Sequence, residues 1–211
     1  MAEVKVLVNG KHEATEGGFL IGSTSTLIKS DKNILVDPGS FANEKKLLDA
    51  LKGEGLSPED IDIIILTHTH IDHTTNVHLF NGAKIMLKFA GGEYPGQVQT
   101  LNKGFLERGN LIDNPEIARD VRVIFTPGHT LDMMSVVVDT EKGVVVVAGD
   151  AIRVPRLTDL EEREIEMITA DMDAYEESRR KILELADFIV PGHGEMMEVR
   201  THEKICSDIL C

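Results

Sequence analysis

The chain has 211 residues, 42% hydrophobic and 27% charged, with a formal net charge of −14, so one soluble domain with a substantial core is expected over 1–211. No apolar run approaches the roughly 20 residues needed to span a bilayer, the start Met1-Ala2-Glu3-Val4-Lys5 lacks a secretory layout, and Cys206 and Cys211 cannot build a disulfide framework, which together point to the cytoplasm. Acidic balance with scattered Lys and Arg leaves no basic footprint for nucleic acid.

In chain order, residues 4–8 read as an opening strand ended by Asn9-Gly10, and 17–22 and 24–29 as two more with a bend between. A short strand at 34–36 delivers Asp37 into the tight Pro38-Gly39 loop. Asn43 is placed to cap a helix whose Leu47, Leu48 and Leu51 form one stripe, ended by Gly53 and Gly55. Ser57-Pro58 opens a short turn into the β-branched run 61–66, a strand that needs cover on both faces. The segment Thr67-His68-Thr69-His70-Ile71-Asp72-His73 follows, its last residues at a helix start.

Residues 83–87 are a further strand, whereas 88–120, broken by Gly91, Gly92, Pro95, Gly96, Gly104 and Gly109, read as a long loop, a flap over the site. Strands are expected at 121–125, 134–139 and 144–148, with Asp150 just after the last. Residues 151–170, with the acidic run Asp159 to Glu164, read as a solvated face. Asp173 with Glu176 suggests a capping box for a helix whose buried stripe is Tyr175, Ser178, Ile182, Leu185 and Ala186. A last strand at 188–190 and a terminal helix at 202–210 complete the chain.

The chemistry concentrates at strand ends. His68 and His70 are two apart, so in extended backbone both point to one side, while Asp72 and His73 reach a second point a few residues on. Three glycine-flanked turns, Pro127-Gly128-His129, Ala148-Gly149-Asp150 and Pro191-Gly192-His193-Gly194, offer further ligands. Imidazole and carboxylate without thiolate suit zinc, iron or manganese and lower the case for a structural zinc site. His12, His78 and His202 lie outside this pattern and are read as non-ligands.

The ordered set Asp37, His68-x-His70-x-Asp72-His73, His129, Asp150, His193 resembles the five-part pattern of the metallo-β-lactamase superfamily. Within it the chain is most similar to the small proteins called metallo-β-lactamase domain-containing protein 1. That likeness rests on His73-x-x-Asn76-x-x-Leu79-Phe80, Thr126-Pro127-Gly128-His129, the run Val145 to Asp150 and Val190-Pro191-Gly192-His193-Gly194, and it extends over about 4–199. The resemblance implies an α/β fold, the four-layer αββα sandwich in which two mixed β-sheets are flanked by helices. It gives His68, His70 and His129 to one metal and Asp72, His73 and His193 to a second, with Asp150 bridging and Asp37 supporting the ligands. Two divalent ions, zinc first with iron or manganese as alternatives, would share a hydroxide. Zinc lowers the pKa of bound water from about 15.7 to about 7, roughly 12 kcal/mol in favour of hydroxide. Asp72 is then the catalytic proton carrier.

The implied activity is hydrolysis of an ester, thioester, lactone or phosphodiester. A mononuclear non-haem iron oxygenase of the persulfide dioxygenase type is the alternative, and a catalytically silent interaction protein a third reading. Asp150 stands where many secreted lactamases carry Cys, which argues against antibiotic defence. The 18 residues after His193 leave no glutathione-binding domain, and the 43-residue spacing from Asp150 to His193 leaves no β-CASP insertion. His70, where flavodiiron proteins usually have Glu, disfavours oxygen reduction. A small-molecule substrate is the expected partner; RNA is a weaker second, membrane is not expected, and a homodimer is compatible.

Overall fold

Alternation along the central strands sets the layering. In the computed structural model, which describes residues 1–93, 100–101, 106–107, 110–111, 114–154 and 167–199, Ile34 and Val36 enter one apolar cluster while Leu35 enters another. Ile63 and Ile65 part from Ile64 in the same way, and Val136 and Val138 part from Val137. Successive side chains of a strand leave on opposite faces, so strands this apolar on both faces must be covered on both.

The first half builds β1 (Glu3–Val8), the hairpin β2 (Lys11–Thr15) and β3 (Gly18–Gly22), β4 (Ser25–Lys29), β5 (Asn33–Val36), helix α1 (Glu44–Gly53), β6 (Ile63–Ile65), the short helix α2 (Ile71–Thr74) and β7 (Lys84–Met86). β8 (Ala90–Glu93) and β9 (Thr100–Leu101) follow, then the small hairpin β10 (Leu106–Glu107) and β11 (Asn110–Leu111). The second half builds β12 (Glu116–Ala118), β13 (Val121–Phe125), β14 (Met134–Thr140), β15 (Gly143–Gly149), helix α3 (Met172–Leu185), β16 (Phe188–Pro191) and β17 (Met197–Glu198).

These strands form two mixed sheets. One runs β1-β4-β5-β6-β7-β8-β9, parallel only across β5-β6-β7; the other runs β12-β13-β14-β15-β16-β17, parallel only at β15-β16. Ile28, Ile34, Val36, Ile63 and Ile65 of the first sheet meet Val123, Val136, Val138, Val145, Val147 and Val190 of the second in a common core. Leu47 and Leu51 of α1 cover the other face of the first sheet at Leu27, Leu35 and Ile64. Ile182 and Leu183 of α3 cover the second at Val137, Val146 and Ile189. The result is the α/β four-layer αββα sandwich.

Several local expectations differ from what forms. β2 pairs with β3 although Lys11-His12-Glu13-Ala14-Thr15 carries little β signal; partner and turn decide it. Within the expected loop 88–120, β8 pairs with β7 and β9 with β8, extending the first sheet. Glycine weakens side-chain patterning but not main-chain pairing, so Gly91 and Gly92 misled the reading. The rest of the proposed flap, at 94–99, 102–105, 108–109 and 112–113, lies outside the described residues, as do the acidic run and the terminal helix at 202–210. Asn43 precedes α1 with a helical backbone and makes no side-chain cap bond. Asp171, in extended backbone, caps α3 by accepting the Ala174 N–H at 3.0 Å, so Asp173 falls in the first turn. The buried stripe of α3 takes in Arg179 and Leu183 and leaves Leu185 partly exposed.

Candidate metal centre

Each candidate ligand stands just beyond the C-terminal end of a strand. β6 leads to His68 and His70 and on to α2, which carries Asp72 and His73. β13 leads to His129, β15 to Asp150, and β16 to His193. The two sheets therefore deliver their strand ends to one edge. The structure brings all seven side chains together there as two groups, His68, His70, His129 and Asp150 in one and Asp72, His73 and His193 in the other.

The glycines beside the ligands are explained by crowding. A Cβ on Gly192 would run into Asp150 Oδ1, and one on Gly149, where φ is +53°, would press on Thr67 Oγ1 and Met133. Gly128, with φ +140°, lies against the backbone of Tyr175 at the start of α3, where no side chain fits.

In the first group, His70 Nδ1 lies 2.9 Å from His68 Nε2 and 3.0 Å from His129 Nε2. In the second, His73 Nε2 and His193 Nε2 lie 3.6 and 3.7 Å from Asp72 Oδ2. Asp150 stands between: Oδ1 is 3.3 Å from Nε2 of both His73 and His193, and Oδ2 is 3.4 Å from Nε2 of His129. Asp72 Oδ2, His73 Nε2 and Asp150 Oδ1 are buried with no hydrogen-bond partner among the described residues. Leaving such groups unpaired costs about 1–3 kcal/mol each. The two orphaned carboxylate oxygens lie 3.6 and 3.3 Å from the orphaned His73 Nε2, a set that a hard or borderline cation would satisfy, so the residues fit a metal.

Outer hydrogen bonds set the tautomers. His193 Nδ1–H donates to the Gly22 carbonyl at 3.0 Å, which turns Nε2 toward Asp150. Asp37, 2% exposed, accepts the Thr67 N–H at 2.8 Å, the Thr67 hydroxyl at 2.7 Å and His73 Nδ1–H at 2.8 Å. With its own proton committed to Asp37, the Thr67 hydroxyl accepts from His68 Nδ1–H at 3.0 Å. One carboxylate thus orients a ligand of each group, His73 directly and His68 through Thr67. Asp37 adopts φ +50°, a backbone region that costs a non-glycine residue, and its loop is strapped to the turn after α2 by Asn76 Nδ2, which donates to the Pro38 and Ser40 carbonyls.

The metal-free electrostatics are polarised. Burial pushes His68 well below the ordinary imidazole range, with His73 beside it adding to the effect, and burial with neighbouring cationic groups takes His129 down to about 4 despite Asp150. Both shifts favour the neutral imidazole, the form that can ligate a metal. Burial opposes charge on His73, but Asp150 and Asp37 outweigh it and hold the ring well above its usual range. Burial likewise opposes charge on Asp150, and His193 and His73 outweigh it, keeping the carboxyl well below its usual range.

Sequence reasoning missed Thr67, the Gly22 carbonyl and Arg153. Arg153 is 6% exposed, its Nε lies 3.7 Å from Asp150 Oδ2, and its carbonyl accepts the His193 N–H at 2.6 Å. Its signal was a single cation three residues past Asp150 in an apolar stretch. His12 lies outside both groups with its ring 6.0 Å from that of His193, and His78 donates Nδ1–H to the Thr75 carbonyl at 2.8 Å on the surface; His202 is outside the described residues.

A sandwich of two mixed sheets that gathers buried imidazoles and carboxylates at one strand-end edge defines the metallo-hydrolase class. The chain belongs to the metallo-β-lactamase superfamily, whose profile matches residues 18–193. It is 32% identical to metallo-beta-lactamase domain-containing protein 1 of Xenopus laevis over 96% of this chain and 84% of the relative. The human protein of that name is 37% identical over 79% of this chain, which spans 59% of the relative. A probable metallo-hydrolase of Methanocaldococcus jannaschii is 30% identical over 85% of this chain and 91% of its own length. Among solved structures, a metallo-β-lactamase of Thermotoga maritima superposes with TM-score 0.67 at 23% identity over 93% of this chain and 99% of its own. A quorum-quenching N-acyl homoserine lactone lactonase gives 0.59 at 20% identity over 91% of each chain. At these identities the superpositions speak to the fold. Among the described residues no helix is long and apolar enough to cross a membrane.

Proposed function

We propose that this protein is a two-metal hydrolase acting on an ester, thioester, lactone or phosphodiester. The observation that carries the reading is the position of Asp150, whose Oδ1 lies 3.3 Å from Nε2 of His73 and His193 and whose Oδ2 lies 3.4 Å from Nε2 of both His129 and His193. A carboxylate so placed, counted with the first group, also lies within reach of the second. His68, His70, His129 and Asp150 would hold one ion, and Asp72, His73, His193 and Asp150 the second. Zinc is the first choice for this donor set, with manganese or iron as alternatives. The ions would supply Lewis acidity and an activated water at neutral pH.

The chain's own residues then have separable tasks. Asp37 and Thr67 keep the ligand rings oriented by engaging Nδ1, which leaves Nε2 as the atom that would meet a metal. Asp72 is the carboxylate among the candidate ligands whose side chain still reaches solvent, 19% exposed, so it can accept a proton on the substrate side and return it to the leaving group. Arg153 adds positive charge beside Asp150, which favours a substrate that develops or carries negative charge. The reading agrees with the names of relatives, a probable metallo-hydrolase among the sequences and a lactonase among the folds. The partner it implies is a small molecule, and the protein is expected to work in the cytoplasm.

Metal content by mass spectrometry on untagged protein purified without chelator tests it, followed by ester, thioester, lactone and phosphodiester panels. About two zinc or manganese ions per chain with turnover on one class is the expected result. One iron per chain with oxygen uptake on a persulfide would replace it by the oxygenase reading. No retained metal and no turnover would overturn it.

A further inference from the structure

The bend between β3 and β4 reaches two ligand segments of the second group. β3 ends at Gly22 and β4 begins at Ser25, and the residues joining them turn their polar groups to the metal edge. Ser23 is fully buried and donates its hydroxyl to the Asp72 carbonyl at 2.8 Å. That carbonyl lies in α2, a helix of four residues, and the N–H four positions on, that of Asn76, is committed to the Gly39 carbonyl at 3.1 Å. Ser23 thus supplies the kind of hydrogen bond that a longer helix would make for itself. The Thr24 N–H donates to the Gly192 carbonyl at 2.7 Å. The Thr24 hydroxyl donates to the Gly194 carbonyl at 3.2 Å and accepts the Gly194 N–H at 3.3 Å and the Gly10 N–H at 3.0 Å. Between them the Gly22 carbonyl takes the proton of His193 Nδ1. Gly10 closes against this bend, since a Cβ there would lie 2.6 Å from the Thr24 nitrogen and 2.7 Å from the Gly22 carbonyl oxygen.

The bonds from the bend to the metal edge end on Asp72 and on the turn that carries His193, whereas His68 of the first group is held through Thr67. The turn at 192–194 has one support in its own half, the Ile152 and Arg153 carbonyls that accept the Gly192 and His193 N–H groups, and the other in the bend of the first half. Metal ligands must stand within about 0.5 Å of their working positions. Asp72 sits on a helix of one turn and His193 on a turn that bridges the two halves, so neither position is set by its own element. We infer that Gly22-Ser23-Thr24 positions Asp72 and His193 and so sets the affinity for the second ion. Ser23 and Thr24 act on the backbone of these ligand segments and not on their metal-facing atoms, which makes them positioning residues. The inference rests on the two-metal reading and assigns residues to one of its two sites.

The test loads the full chain with cadmium-113 and follows each site's resonance under graded chelator, with His193→Ala marking the resonance of the second ion. Ser23→Ala and Thr24→Val should lose about 10–100-fold in affinity for the marked ion and keep the other. Gly10→Ala, which pushes on the bend from a position remote from the ligands, should act in the same direction. Thr24→Ser keeps the hydroxyl and should restore the wild-type value. Ile182→Ala, in the layer between α3 and the second sheet, should lose neither ion, which separates positioning from a general loss of stability. A second readout needs no metal. In the metal-free protein the amides of 72–74 and 192–194 should exchange with solvent about tenfold faster in Ser23→Ala and Thr24→Val, with β13 and β14 unchanged. Ser23→Ala, the mildest change, keeps the test decisive should Thr24→Val or Gly10→Ala fail to fold. Equal weakening of both ions, or of neither, would overturn the inference and leave the two-metal reading standing. A single resonance in the wild type would overturn the two-metal reading, and exchange would then decide the inference: faster at both segments upholds the positioning role, and unchanged exchange overturns it.

Discussion

Asp37→Asn is the most searching single perturbation of the centre, because it keeps the shape of a side chain that touches no candidate metal position. The carboxylate accepts three hydrogen bonds, from Thr67 N–H, Thr67 Oγ1–H and His73 Nδ1–H. An amide has one accepting oxygen. If that oxygen keeps the Thr67 N–H, the NH2 group faces His73 Nδ1, and the ring must move its own proton to Nε2, the atom aimed at Asp150. Hydrogen bonds to charged groups contribute about 1.5–3 kcal/mol each, so the metal-free protein should lose about 2 kcal/mol, or roughly 4–8 °C in Tm at this size. Metal affinity should fall about 10–100-fold, the usual cost of removing a carboxylate behind a ligating histidine. The loss should fall mainly on the ion held by His73. Thr67→Val, which removes the hydroxyl between Asp37 and His68 but keeps Asp37 on His73, should weaken mainly the other ion. Stepwise chelator competition followed by mass spectrometry reads each site, and scanning calorimetry of the metal-free forms reads stability. If Asp37→Asn retained both ions at wild-type affinity, the relay from Asp37 to the two rings would be wrong.

Four other outcomes follow from the same geometry. Asp150→Ala should halve or abolish metal content and abolish turnover; full activity with unchanged metal would refute the bridging role. Gly192→Ala puts a methyl group into the space of Asp150 Oδ1, so metal content should drop and stability fall by about 1–3 kcal/mol, measurable by urea unfolding. Ile182→Ala, in the layer between α3 and the second sheet, should cost about 2–5 kcal/mol in the same assay while metal content stays intact. In the metal-free protein Asp150 and Asp37 raise His73, so the stability it contributes is complete below the ordinary value of 6.5 and lost as pH rises through the raised value. Thermal unfolding against pH should therefore decline on the alkaline side without metal, and loading near neutral pH should release the His73 proton, read by calorimetry in two buffers of different ionisation enthalpy.

The ligand set could be read from the chain because its signals are local. His68, His70, Asp72 and His73 fall within six residues at a strand end, and the other three stand beside glycines that the crowding at Asp150, Thr67 and Tyr175 requires. The cover on both faces of the central strand was readable for a similar reason, since Ile63-Ile64-Ile65 is apolar on both faces, whereas the four layers themselves followed from the family resemblance. What was hidden depends on distant contacts. Gly22 and His193 are 171 positions apart, and a backbone carbonyl carries no residue signature. Thr67 looks like any strand-end threonine until Asp37, 30 positions earlier, is seen to fix its hydroxyl.

That convergence has an energetic consequence for the whole domain. The first half supplies His68, His70, Asp72 and His73, the second supplies His129, Asp150 and His193, and neither half holds a complete set for either ion. The apolar core between the sheets joins the halves without regard to charge, yet at the ligand edge it must tolerate a buried aspartate and imidazoles that repel one another when protonated. Metal-free, that edge is held by His73 acting as the cation between Asp37 and Asp150. Metal binding would replace this one proton by charge shared across both sheets, so the free energy of binding would be available to lock the two halves together. The centre would then be as much a clasp for the sandwich as a site for chemistry, and the strain stored at Asp37 and in the orphaned atoms of Asp72, His73 and Asp150 is what that clasp would relieve.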